Sequence, residues 1–163
     1  MSPTLRIVCL CTGNICRSPM AQALLKKRLE EQGIGSAIIS AGVLGLQGYQ
    51  AAEHARTAMR MCGLDIEGHR SQKVSLPLLR MADYLFVMSP RHEATVAELD
   101  RALLDRVVRI WEYASEPLEK AGIPDPLKGE LKDFIACRQL LEDCIANWIE
   151  GEFRQEDSHG QGR

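Results

Sequence analysis

Apolar positions along this chain follow two rhythms. Leu5 to Leu10 is a short, nearly continuous apolar run, the pattern of a strand buried on both faces. From Met20 to Leu29 the period changes. Met20/Leu24 and Ala21/Leu25/Leu29 recur every four residues, while Lys26, Lys27, Arg28, Glu30 and Glu31 lie largely on the other side. That spacing predicts an amphipathic helix, which Gly33 ends. Ala37 to Ser40 reads as a second strand, and Ala41 to Gly48 as a glycine-rich loop. Ala52, Ala55, Met59 and Cys62 return to helical spacing, with Cys62 on the buried stripe and Gly63 as the stop. Leu76 to Met81 reads as a short helix behind Ser75, with Pro77 in its first turn, and Tyr84 to Met88 as a third strand. Ser89-Pro90 then opens a helix over His92 to Leu99. Val107 to Trp111 is the fourth predicted strand. Tyr113 to Lys128 is an irregular connection with three prolines. Phe134, Cys137, Leu141, Ile145 and Trp148 mark the last helix, over about residues 131–149.

Strands alternating with helices predict a single α/β domain with a parallel sheet covered on both faces. That domain spans residues 1–151. Residues 152–163 are polar and glycine-containing, the composition of a disordered tail.

Composition narrows the function classes. The 163 residues are enough for one substantial core. Twenty basic and twenty-two acidic residues leave a net charge of −2, and nothing there argues for nucleic acid or an anionic membrane as partner. No apolar run is long enough to span a membrane, and the first residues lack a signal peptide's regions. A cytoplasmic location is the expectation. In that setting the six cysteines are expected as free thiols, with Cys9, Cys62, Cys137 and Cys144 in or near the core. No zinc-type pair of Cys-x2-Cys units occurs, and no metal or other cofactor is implied.

The chemistry concentrates between the first strand and the first helix, at Cys11-Thr12-Gly13-Asn14-Ile15-Cys16-Arg17-Ser18-Pro19. Backbone N–H groups at a helix start are unsatisfied, and the helix dipole adds positive potential, so such a loop binds anions. Gly13 and Asn14 best tolerate the left-handed turns that a cradle of N–H groups needs. The same field favours the Cys11 thiolate, the nucleophilic form. Ser18 can bond to that sulfur while capping the helix, with Pro19 at the first helical position. The planar fork of Arg17 can hold two oxygens of a tetrahedral oxyanion. Nucleophile, cradle and clamp together point to attack on phosphorus through a phosphocysteine.

Cys11 to Pro19 resembles the phosphate loop of the low-molecular-weight protein tyrosine phosphatases, Cys-x5-Arg-Ser near the N-terminus. Further matches follow in family order: Ser40-Ala41-Gly42, His69-Arg70-Ser71, Ala82-Asp83 before an apolar strand, and Asp125-Pro126. The resemblance covers residues 5 to 150. It implies a four-stranded parallel sheet of order 2-1-3-4, with the site at the carboxyl end of the first strand. It implies that Cys11, Arg17 and Asp125 are catalytic, and that Thr12 to Ser18 bind the phosphate. Asp125 stands where the family carries its general acid, on a backbone stiffened by Pro124 and Pro126. By itself Pro-Asp-Pro is ordinary turn chemistry. Asn14, Ser40 and His69 fall on family positions that bond to one another and support the loop. In the family the cysteine at Cys16 can pair reversibly with the nucleophile; Cys16 can equally be a loop-packing residue.

The substrate mouth departs from the family. Leu127 follows Asp125-Pro126 where an aromatic residue is common, and Leu46 is placed on the opposite wall, with Tyr49 as a further candidate. The implied partner is a tyrosine-phosphorylated protein, with a bacterial tyrosine autokinase as one candidate, and the chain is expected as a monomer or weak dimer. Three alternatives stay open. A protein arginine phosphatase has a similar loop but carries Thr at the position of Ile15. A thiol-dependent arsenate reductase usually has Gln in place of Pro19 and needs a relay cysteine pair. A non-catalytic phosphate-binding module would account for the altered mouth.

Overall fold

The computed structural model describes residues 3–160, with side chains described as far as Arg154. Four parallel strands form one sheet in the order β2-β1-β3-β4. They are β1 (Leu5–Cys11), β2 (Ser36–Gly42), β3 (Tyr84–Val87) and β4 (Val107–Arg109). Five α-helices connect and follow them: α1 (Arg17–Glu31), α2 (Glu53–Arg60), α3 (Leu76–Arg80), α4 (Pro90–Leu99) and α5 (Leu131–Gly160). Single 3-10 segments at Arg101–Arg106 and Ile110–Tyr113 flank β4.

The strand order reverses beside β1. The chain steps one way to β2 and the other way to β3 and β4, so the right-handed crossovers fall on opposite faces. One layer holds α1 against β1, β2 and α5, and α5 in turn packs on α2. The other holds α4 against β3 and the Arg101–Arg106 segment. Ile7 to Cys11 of β1 are all buried, as a central strand covered on both faces requires. Met20, Ala21, Leu24, Leu25 and Leu29 are the buried stripe of α1. Trp148 anchors α5, edge-on to Tyr84, Phe86 and Phe153 with ring centroids 5.2, 4.7 and 5.8 Å away.

Several boundaries differ from the sequence reading. Helix α1 begins at Arg17, with Cys16 as its N-cap residue, so Ser18 does not cap it and Pro19 is its third residue. Proline fits there because the first turn's N–H groups have no intrahelical acceptor. Helix α2 ends at Arg60, which leaves Cys62 in the following turn and half-exposed rather than on a buried stripe. Its thiol donates to the Met59 carbonyl at 3.2 Å, and Gly63 follows in the left-handed region. Strand β4 stops at Arg109, and Ile110 and Trp111 stay buried in the 3-10 turn instead. Helix α5 continues to Gly160, through most of the stretch whose composition predicts a tail; residues 161–163 lie outside the described residues.

Candidate active site

The loop from Cys11 to Arg17 closes over the carboxyl end of β1, where the strand order reverses. Asn14 is its pivot. It sits at φ 59°, the left-handed region, while Gly13 does not. Every polar group of Asn14 is engaged. Its N–H donates to Cys11 Sγ at 3.2 Å. Its Nδ2 donates to Ser18 Oγ at 2.7 Å and Ser40 Oγ at 2.9 Å. Its Oδ1 accepts the Gln72 N–H at 3.0 Å, and its carbonyl lies 2.6 Å from His69 Nε2. Four bonded groups hold a conformation that costs a non-glycine residue about 1–2 kcal/mol. Ser40 is braced by Gln22, and Gln72 Nε2 donates to the Ser40 carbonyl. Burial pushes His69 below the ordinary imidazole range, with Arg70 adding to the effect and the bond to Asn14 opposing it.

The second wall of the cradle is Gly42. A Cβ there would lie 2.9 Å from the Thr12 carbonyl oxygen, so only glycine lets this strand end pass. Val43 and Leu44 then donate their N–H groups to the Cys11 and Thr12 carbonyls. The loop is thus tied by its carbonyls, with several of its donors left over. Among the described residues, none accepts from the N–H of Gly13, Ile15 or Cys16.

Cys11 is buried, and Ser18 Oγ lies 2.9 Å from its sulfur. Ser18, freed from capping, joins Cys11 to Asn14. Arg17 is buried as well. Its Nη1 donates to the Ile123 carbonyl at 3.0 Å, and its Nη2 to Thr12 Oγ1 at 3.2 Å. The same Nη2 meets Asp125 Oδ2 at 3.3 Å, across 108 residues of sequence. Asp125 Oδ1 accepts the Leu127 N–H at 3.1 Å. The turn chemistry and the reach to Arg17 therefore belong to one carboxylate. Cys16 is buried beside this group. Burial first, then the nearby Asp125 carboxyl, push its thiol up to about 12, with Arg17 opposing. All six cysteines are free thiols.

A family model described as low molecular weight phosphotyrosine protein phosphatase matches residues 6–158. The chain belongs to that family. The protein-tyrosine-phosphatase Ptp of Acinetobacter johnsonii is 32% identical over 142 residues, 87% of this chain and 94% of that protein. A protein-arginine-phosphatase of Geobacillus stearothermophilus is 31% identical over 140 residues, 86% of this chain and 90% of that protein. The solved structure of the tyrosine phosphatase Wzb from Escherichia coli K30, in complex with sulphate, has a TM-score of 0.80 at 32% identity. It covers 91% of this chain and 99% of that one. The chain is thus an enzyme of a cysteine-dependent phosphatase family.

Two leucines stand at the positions where the resemblance places the substrate mouth. Leu46 lies over the loop, its Cδ1 3.4 Å from where a Cβ on Gly13 would stand. Leu127, next to Asp125-Pro126, is 49% exposed. Tyr49 is exposed too, with its backbone pinned to Ser71 on both sides. Sequence reasoning did not single out Gln22, Gln72, the Ile123 carbonyl or His92. His92 is fully buried, with Nε2 3.0 Å from Thr12 Oγ1. Its one signal in the sequence was its place in the first turn of a helix leaving a strand's carboxyl end, where α/β sites are built.

Proposed function

We propose that this chain hydrolyses phosphotyrosine in proteins through a phosphocysteine intermediate. The observation that carries this reading is the convergence of the Cys11 sulfur, the Arg17 fork and the Asp125 carboxylate on one loop of open N–H donors. In the first step Cys11 Sγ attacks phosphorus, forming the P–S bond as the P–O bond to the phenol breaks. Arg17 and the loop N–H groups hold the three non-bridging oxygens, where charge builds up. Asp125, protonated, gives its proton to the leaving phenoxide. In the second step Asp125 as carboxylate takes a proton from water. The water oxygen bonds to phosphorus, the P–S bond breaks, and phosphate leaves with the thiolate restored. The Asn14 N–H and the Ser18 hydroxyl support that thiolate as it forms and as it departs. Without substrate, Asp125 rests on Arg17 Nη2. A phosphoryl group takes over that donor and frees the carboxyl for the leaving oxygen.

Leu46 and Leu127 form the walls for the phenyl ring. They bury it by area but lack aromatic stacking, worth about 0.5–1.5 kcal/mol per pair, so discrimination for phosphotyrosine is weaker than with aromatic walls. The partner is a tyrosine-phosphorylated protein of the cytoplasm, with a tyrosine autokinase as one candidate.

A second reading, phosphoarginine hydrolysis, draws on the arginine-phosphatase relative. Ile15 opposes it, since its half-buried aliphatic side chain beside Gly13 offers no hydroxyl to a guanidinium. Steady-state hydrolysis of phosphotyrosine and phosphoarginine peptides, metal-free and with reductant, decides between them. Phosphotyrosine is expected to turn over faster, with the rate lost in Cys11→Ser. A preference for phosphoarginine overturns the first reading, and turnover of neither peptide overturns both.

A further inference from the structure

The segment that leaves β3, Met88 to His92, reaches the supports of Arg17 from two sides. On one side the Ile123 N–H donates to the Met88 carbonyl at 2.7 Å, and the Ile123 carbonyl accepts Arg17 Nη1. The preceding residue, Gly122, runs flush against the segment. A Cβ there would stand 3.1 Å from Ser89 Cβ and 3.2 Å from the Met88 carbonyl oxygen. On the other side a chain of three polar groups runs inward. Ser89 Oγ lies 3.2 Å from His92 Nδ1, His92 Nε2 lies 3.0 Å from Thr12 Oγ1, and Thr12 Oγ1 accepts Arg17 Nη2 at 3.2 Å. Ser89 is the N-cap residue of α4, yet its hydroxyl caps nothing and serves the imidazole instead.

We propose that His92 is a positioning residue for Arg17: it holds the Thr12 hydroxyl and thereby sets the direction of the guanidinium fork. The proposal rests on Arg17 being the phosphoryl clamp. Threonine carries a hydroxyl and a methyl on one carbon, and rotation about χ1 exchanges them. With the methyl turned inward, Arg17 Nη2 would lose one of its acceptors, and the fork would be held on that side by Asp125 alone. The imidazole selects the hydroxyl. Burying a polar ring costs free energy that an apolar side chain of the same size would not. What this ring provides in return is two engaged nitrogens, one of them a single hydroxyl away from the clamp. A neutral ring has one donor and one acceptor, and hydroxyls can be either, so the chain from Ser89 to Thr12 is satisfied in both tautomers. A cation at this position would instead face Arg17. Burial first, then Arg17 and Arg91, hold the ring neutral.

The test reads oxyanion affinity without turnover, as the calorimetric dissociation constant of inorganic phosphate on the full chain under reductant, alongside kcat and KM for an aryl phosphate. His92→Phe keeps a ring and loses both hydrogen bonds. It is expected to weaken phosphate binding and lower kcat by about tenfold, the scale of coupling within one hydrogen-bond network. Thr12→Val is expected to do the same, and the double variant no worse than either. His92→Gln, which restores a polar atom near Thr12, should recover most of the loss. Unchanged phosphate affinity in His92→Phe, or single effects that multiply in the double variant, would overturn the proposal. If His92→Phe does not fold, Ser89→Ala removes only the Nδ1 partner. A loss of about threefold is expected there by the same coupling, and unchanged affinity overturns the proposal. A chain that binds phosphate but leaves phosphotyrosine intact would defeat the proposed function and still test His92 on its own.

Discussion

In the proposed mechanism Asp125 serves a turn and a reaction together. Its Oδ1 accepts the Leu127 N–H, which closes the turn, and its Oδ2 rests on Arg17. Asp125→Asn keeps an oxygen for the Leu127 N–H but has no proton to give. We therefore expect phosphotyrosine turnover to fall by about 10²–10⁴, with the thermal midpoint close to that of the parent. The contrast with Asp125→Ala, which loses the turn as well, separates the two roles. Equal rates for Asp125→Asn and the parent would remove Asp125 from the chemistry. Asn14 teaches the same lesson about position. Asparagine was legible as a turn residue, but only the folded chain shows Ser18, Ser40, His69 and Gln72 gathered around it.

At the scale of elements, the periodic stretches were legible and their ends were not. The stripe of α1 was clear from Met20 to Leu29, yet the helix starts at Arg17 because the cradle itself is its entry. Extension of a formed helix adds one hydrogen bond per residue, whereas starting one is costly. For the same reason α5 runs past its last fully buried residues into a polar stretch that would not nucleate alone. That stretch contributes to the fold: Phe153 packs edge-on to Trp148, and Glu152 accepts the Tyr84 hydroxyl at 2.6 Å. Truncation after Gly151 removes both contacts, worth about 1–2 kcal/mol together. The expected drop in thermal midpoint is roughly 2–8 °C for a chain of this size. A truncated chain that melts with the parent would show the stretch to be inert.

For the whole molecule, two imidazoles beside the loop couple folding to pH. His92 is held down at about 3 in the folded chain, chiefly by burial and then by Arg17 and Arg91, against 6.5 when free. The unfolded chain therefore binds the extra proton first as pH falls. This contribution is fully present above pH 6.5 and is lost as pH drops toward 3, at about 1.4 kcal/mol per pH unit. His69 is shifted in the same direction. Denaturant unfolding between pH 7 and pH 4 should show a shallower loss of stability in His92→Gln than in the parent. Identical slopes would mean that the imidazole is not neutral in the folded state.

By itself the sequence determined most of the elements and marked Cys11 to Ser18 as the candidate anion cradle. Apolar periodicity is local, and Cys11 to Ser18 are contiguous, so their chemistry can be read from spacing alone. Resemblance added Asp125, which spacing left as a turn. Only the tertiary structure decided what surrounds the loop. The order β2-β1-β3-β4 brings the end of β3 beside the end of β1, and so sets His92 against Thr12 across 80 residues and Asp125 against Arg17 across 108. No periodicity carries over such separations. A buried histidine in the first turn of a helix looks like any other until the sheet places a hydroxyl and a guanidinium in front of it.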